Sequence, residues 1–114
     1  MILTVKQMII KLNNKNIEVK IASTFKLRLF GLMGQKEIKY GLLLPNCSAI
    51  HTFFMRTNID IVVINEQNQI IALEKDLKPF RIFHIKKTSD SLSILELPAK
   101  SINNIKIKDY LIFE

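Results

Sequence analysis

The sequence predicts an α+β domain that is mainly β, a compact β-sandwich or barrel-like body with one short helix near residues 23–33. Three observations predict it. Short runs alternate apolar and polar residues at a period of two, as in Ile17-Glu18-Val19-Lys20-Ile21. Clusters of Asn, Ser and Pro separate these runs at short intervals. Only the segment after Ser23-Thr24 repeats apolar side chains at helical spacing.

The elements follow in order. Leu3 to Leu12 begins as an alternating strand, and Asn13-Asn14-Lys15-Asn16 is a hairpin turn, because Asn tolerates the left-handed backbone that tight turns require. Ile17 to Ile21 returns as a half-buried strand. Ser23-Thr24 caps the helix, Phe25, Leu29, Leu32 and Met33 line one face of it, and Gly34 suits its left-handed end. Gly31 inside the helix costs about 1 kcal/mol relative to alanine, which implies a close neighbour there. Gly41 to Leu44 is a short apolar strand stopped by Pro45, and His51 to Met55 is expected to be extended. Ile59 to Ile64 is β-branched almost throughout, Asn65-Glu66-Gln67-Asn68 turns it, and Gln69 to Leu73 pairs back. Arg81 to Ile85, Leu92 to Leu97 and, after the polar break Ser101 to Asn104, Ile105 to Phe113 complete the strands.

At 114 residues the chain is expected to form a single domain, 1–114, with one core. Apolar residues make up 48% and charged residues 24%, the balance of a globular protein. The opening MILTVKQMIIKL is broken by Lys6, Gln7 and Lys11 and lacks the shape of a signal peptide. No run reaches the roughly twenty apolar residues of a membrane span, and a single cysteine forms no internal disulfide. A cytoplasmic setting is therefore expected. The net charge of +7 invites nucleic-acid binding. The lysines are scattered, however, and only three arginines are present, so a solvated basic surface is the expectation.

Chemistry-bearing residues concentrate between Cys47 and Asp60, which hold the only cysteine, one of two histidines, Arg56 and an acid flanked by isoleucines. Strand alternation would place His51, Phe53 and Met55 on one face and Thr52, Phe54 and Arg56 on the other, as in a central strand covered on both sides. A histidine among Phe and Met is more often a satisfied core residue than a ligand. Cys47 and His51 stand roughly 13 Å apart if extended, too far for shared coordination or a hydrogen bond. His84 is the only other histidine, so neither a metal nor any other cofactor is expected. A small buried thiol is the plainer reading of Cys47. Asp60 shares a strand face with Val62 and Ile64 and therefore needs a cation or backbone donors; Arg56 is one candidate partner. In Leu77-Lys78-Pro79-Phe80-Arg81, Arg81 projects beside an aromatic and could capture a carboxylate or phosphate, or equally stack on Phe80 as a surface rim residue. Phosphate loops, dinucleotide fingerprints and the HExxH and GxSxG motifs are absent.

Several blocks together resemble the DUF192 family of bacterial and archaeal proteins. They are Ala22, Arg28, Gly31-Leu32-Met33, Gly41-Leu42-Leu43-Leu44, Ile50-His51-Thr52-Phe53-Phe54-Met55-Arg56, Ile59-Asp60-Ile61-Val62, Leu77-Lys78-Pro79-Phe80-Arg81 and Leu95-Glu96-Leu97-Pro98-Ala99. The resemblance covers Ile17 to Phe113. It implies a small, mainly β domain of sandwich or barrel type with a short helix, and it carries over no catalytic residue. It also implies that many members are exported, whereas no leader is evident here. Three positions depart from the family pattern: Phe54 where Trp is common, Lys100 where glycine is common, and Lys108-Asp109 where glycine-aspartate is common.

The functional expectation is a binding module whose His51, Arg56 and Arg81, with Cys47 and Asp60 nearby, border a polar pocket for an anionic small ligand or a protein segment. The alternatives are an enzyme using a Cys47/His51 pair, and weak nucleic-acid binding through the scattered lysines.

Overall fold

The structure, a computed structural model, describes residues 7–12, 15–24, 30–86 and 91–114. The alternating runs become eight strands: β1 (Gln7–Leu12), β2 (Lys15–Ile21), β3 (Gly41–Leu44), β4 (Ala49–His51), β5 (Ile59–Ile64), β6 (Ile70–Leu77), β7 (Ile82–His84) and β8 (Ser93–Pro98). Six of them form one sheet in the order β1-β2-β3-β8-β5-β6, and β4 pairs with β7 in a separate ribbon. Strands β2 and β3 are parallel, and every other pairing in the sheet is antiparallel. A parallel pair needs a crossover, which residues 22–40 provide.

Strand β5 is buried at all positions because β6 and β8 flank it and both faces are covered. One face carries Leu42, Leu44, Ile59, Ile61, Val63 and Ile94, packed with Ile50 of β4 and Phe83 of β7. On the other face Val62, Ile64, Leu95 and Leu97 meet Ile10 and Val19 of the first hairpin and Ile102 and Leu111 of the C-terminal segment. The tight squeeze falls at Gly41, where a Cβ would stand 2.8 Å from Leu97 Cδ2 and 3.3 Å from Val19 Cγ2.

The sheet is not closed into a barrel, nor is it one of two stacked sheets as a sandwich requires. Its edge strands β1 and β6 do not pair. The C-terminal segment joins them instead: Ile70 N–H donates to Asp109 O (2.8 Å) on one edge, while Ile9 and Glu114 exchange bonds of 2.9 and 2.8 Å on the other. This also corrects the expected strand over 105–113. Asn104 and Lys108 take left-handed φ values of 69° and 82°, so the segment turns twice and forms only isolated bridges, Gln69 to Tyr110 and Ile10 to Phe113.

Residues 25–29 of the expected helix near 23–33 lie outside the described residues. What is described of it is a turn over 31–34, closed by Met33 N–H to Phe30 O at 3.0 Å, with Gly34 at φ 77°. The strand expected over His51 to Met55 ends at His51. Beyond it the chain turns, and Phe54 takes φ 62°. Strand β6 runs on to Leu77 because a bulge absorbs one extra residue: Ile59 pairs with Leu77 and Ile61 with Glu74, leaving Asp60 opposite both Lys75 and Asp76.

Candidate functional site

Thr52 organises the region that the sequence marks. It is buried, and its hydroxyl donates to Lys78 O at 2.7 Å and accepts from Arg81 N–H at 2.9 Å. Its backbone adds Thr52 N–H to Arg81 O (2.8 Å) and Phe80 N–H to Thr52 O (2.9 Å). One side chain therefore clamps the β4–β5 loop to the β6–β7 loop. Sequence reasoning passed over it, since a threonine between His and Phe in an apparent strand carries no mark of its own. The hub also explains the early end of β4, because Met55 N–H folds back to Thr52 O at 3.2 Å.

The two clamped loops present aromatic rings outward. Phe54 and Phe80 are 65% and 58% exposed, and both hold left-handed backbone, at φ 62° and 60°. Their rings meet edge to face at 5.8 Å, and Phe53 lies 6.4 Å from Phe80. His51 stacks on Phe53 at 5.1 Å, and Ile82 beside them is 66% exposed. Arg56, Lys78 and Arg81 are exposed on the same loops. The expected alternation is thus replaced: Thr52 and Met55 point inward, while Phe53 and Phe54 both lie outside.

The five residues singled out by sequence separate into three places. His51 ends β4 and pairs with Ile82, the residue after Arg81, across the ribbon, and Arg56 is exposed on the loop that follows β4. Cys47 belongs elsewhere. It is half buried against the core, and its thiol donates to Ala49 O at 3.1 Å. His51 Nδ1 in turn accepts from Phe53 N–H at 3.2 Å, which leaves the ring proton on Nε2. Each group is thus satisfied locally.

Asp60 is a structural knot. Its Oδ1 accepts the bulge amide of Asp76 at 3.0 Å, and its Oδ2 accepts Ser101 and Ile102 N–H at 2.9 and 3.1 Å. Among the described residues no cation pairs with it; the ion pair there is Lys11 to Glu114 at 3.1 Å. Arg56 is not its partner.

A second buried acid was missed. Glu96 of β8 lies between Leu42 and Ile61, 7% exposed, and burial pushes its carboxyl up to about 7. The available signal was a charge inside Ile94-Leu95-Glu96-Leu97 on the same face as Ile94. Among the described residues no cluster of His, Cys, Asp and Glu could hold a metal ion, and no helix is long and apolar enough to cross a membrane.

The clamped loops and the Asp60 knot are built from the blocks that carry the family resemblance, and a comparison of the whole chain decides it. The DUF192 family model, described as "Uncharacterized ACR", matches residues 8–110. The chain belongs to the DUF192 family. Within it, a UPF0127 protein of Thermococcus sibiricus is 33% identical over 84% of the chain, and one of Thermococcus kodakarensis is 31% identical over 81%. The chain spans 66% and 60% of the length of those two relatives.

A crystal structure of a Novosphingobium aromaticivorans protein of unknown function superimposes with a TM-score of 0.73 at 14% identity, covering 95% of this chain and 84% of that one. A Sinorhizobium meliloti protein, provisionally named a transcription regulator, gives 0.72 at 16%, covering 99% and 98%. At such identities these two show a likeness of fold alone. The three departures from the DUF192 pattern share one property: Phe54, Lys100 and Lys108 all hold left-handed backbone, at φ 62°, 69° and 82°. At two of them, Lys100 and Lys108, the resemblance implies glycine, the residue that reaches this conformation without steric cost.

Proposed function

We propose that this DUF192 domain is a binding module that docks a short acidic protein segment with an apolar anchor on the face formed by residues 52–58 and 78–82. One observation carries the reading: Phe54 and Phe80 are in contact, strained and largely exposed. Left-handed backbone costs a non-glycine residue about 1 kcal/mol or more, and an exposed ring returns little of that through burial. Strain that folding does not need is characteristic of ligand clamps. Exposed apolar patches rimmed by polar groups mark interaction surfaces.

The rim favours an acidic partner. Arg56, Lys78 and Arg81 are exposed, and neither 52–58 nor 77–82 contains an acid. Guanidinium groups take carboxylates in pairs of parallel hydrogen bonds. His51, stacked on Phe53, extends the flat surface. The exposed rings of Phe54 and Phe80 offer an apolar anchor point beside Arg56, Lys78 and Arg81 of the same two loops, which suits an extended segment.

The test is selection of a displayed random-peptide library on the immobilised protein, followed by amide NMR titration with an enriched peptide. The expected peptides place Asp or Glu next to an aromatic or aliphatic residue and shift the amides of residues 53–56 and 78–82. Arg56→Glu with Arg81→Glu is expected to weaken binding about tenfold or more, equivalent to about 1.4 kcal/mol. Phe54→Asn with Phe80→Asn is expected to abolish binding while raising thermal stability, since Asn tolerates positive φ. Enrichment of neutral or basic peptides, or shifts confined to another face, would overturn the proposal.

A further inference from the structure

We infer that a second, separate groove binds small amphiphilic anions, a phosphate or carboxylate head on a short apolar body. The groove has a volume of about 720 Å³ and is walled by the start of β2, the approach to β3 and the segment after β8. Leu12, Ile17, Ile38, Pro98 and Ala99 supply its apolar surface. Lys15, Lys39 and Lys100 supply cations against the single carboxylate of Glu37. The volume falls within the range of small-molecule sites, and an apolar lining with a few placed polar groups is their usual chemistry.

The wall holding Lys100 is the firmest part. Asp60 grips the amides of Ser101 and Ile102, and the Ser101 hydroxyl donates to Pro98 O. The backbone on either side of Lys100 is therefore fixed, although the residue itself stands at φ 69°. Strain alone is not the argument, because Lys108 is strained as well and lines no part of this groove. Lys100 differs in that it lines the groove together with Lys15 and Lys39, on backbone held by the Asp60 and Ser101 bonds. Lysine stems also cover apolar surface while leaving the head in water, so they can close over an apolar body and meet its anionic end.

Four probes test this by calorimetry on the intact chain: octyl phosphate, octanoate, inorganic phosphate and octanol. Octyl phosphate or octanoate is expected to bind saturably, about tenfold or more tighter than inorganic phosphate or octanol, and the stronger of the two names the head group. Amide shifts are expected at Lys39, Lys100, Ser101 and Ile102. Lys100→Gly relieves the φ 69° strain and removes both the cation and its apolar stem, so it is expected to raise the melting temperature and weaken binding about fivefold. Lys39→Glu is expected to weaken it at least as much. The inference is overturned if inorganic phosphate binds as tightly as octyl phosphate, if octanol does, or if folded Lys100→Gly and Lys39→Glu bind as the parent does. Shifts located at residues 53–56 instead would assign the anion to the aromatic face and overturn it equally.

Discussion

A single hydroxyl holds the aromatic loops in place. Thr52 is buried, donates to Lys78 O and accepts from Arg81 N–H, so replacement by the near-isosteric valine would leave both partners without their bond. Leaving buried polar groups unpaired costs about 1–3 kcal/mol, and Thr52→Val is expected to destabilise by that amount in chemical denaturation. It should also speed hydrogen exchange at Phe80 and Arg81 selectively. Unchanged exchange there would show that the backbone bonds alone hold the loops. Asp60 obeys the same logic with three amides and, among the described residues, no cation, which is why its spacing from Arg56 misleads: a carboxylate at a bulge is satisfied by the local backbone more economically than by a flexible arginine.

Strand β3 shows how one small residue sets the spacing of an element. Gly41 is flanked by β2 and β8, and an added Cβ would stand 2.8 Å from Leu97 Cδ2 and 3.4 Å from Glu96 O. Leu97 is fully buried and has little room to move. Gly41→Ala is expected to cost about 1–3 kcal/mol by overpacking, read as a fall in denaturation midpoint at constant slope. A neutral result would mean that β2, β3 and β8 can part without loss. Sequence reading passed over Gly41, because whether a glycine meets a neighbour depends on strand order. Elements with strict alternation or β-branched runs were legible: β3 and β5 have the expected bounds. The extension of β6 and the end of β4 were not, since a bulge and a threonine clamp decide them through residues distant in the chain.

For the molecule as a whole, the two buried acids act in different ways. Asp60 is paired throughout by backbone donors, whereas among the described residues no group donates to Glu96, whose carboxyl is raised from 4.5 to about 7 by burial. Between those values the folded state holds a proton that the unfolded chain has released. The contribution of Glu96 is therefore fully present below about pH 4.5 and is lost as pH rises through about 7, amounting to about 3 kcal/mol. Glu96→Gln should match the parent near pH 4.5 and exceed it in stability above pH 7, measured by denaturant titration at each pH. Parallel stability profiles for the two proteins would sink this account. The C-terminal segment acts at the same scale, because it satisfies both sheet edges that a barrel would have paired with each other.

Local pattern determined the β-rich class, strands β3 and β5, the Asn-rich turn after β5 and the family, because side-chain period and turn chemistry are properties of neighbouring residues. It also marked the loops that carry His51, Arg56 and Arg81. Tertiary structure decided the rest: an open sheet spanned by the C-terminal segment, Cys47 half buried at the edge of the core, Asp60 on three amides, and Phe54 and Phe80 turned outward. Each of these depends on contacts between residues far apart in sequence. A strand's alternation predicts which side chains share a face, but only the packing of the whole chain decides which face meets water.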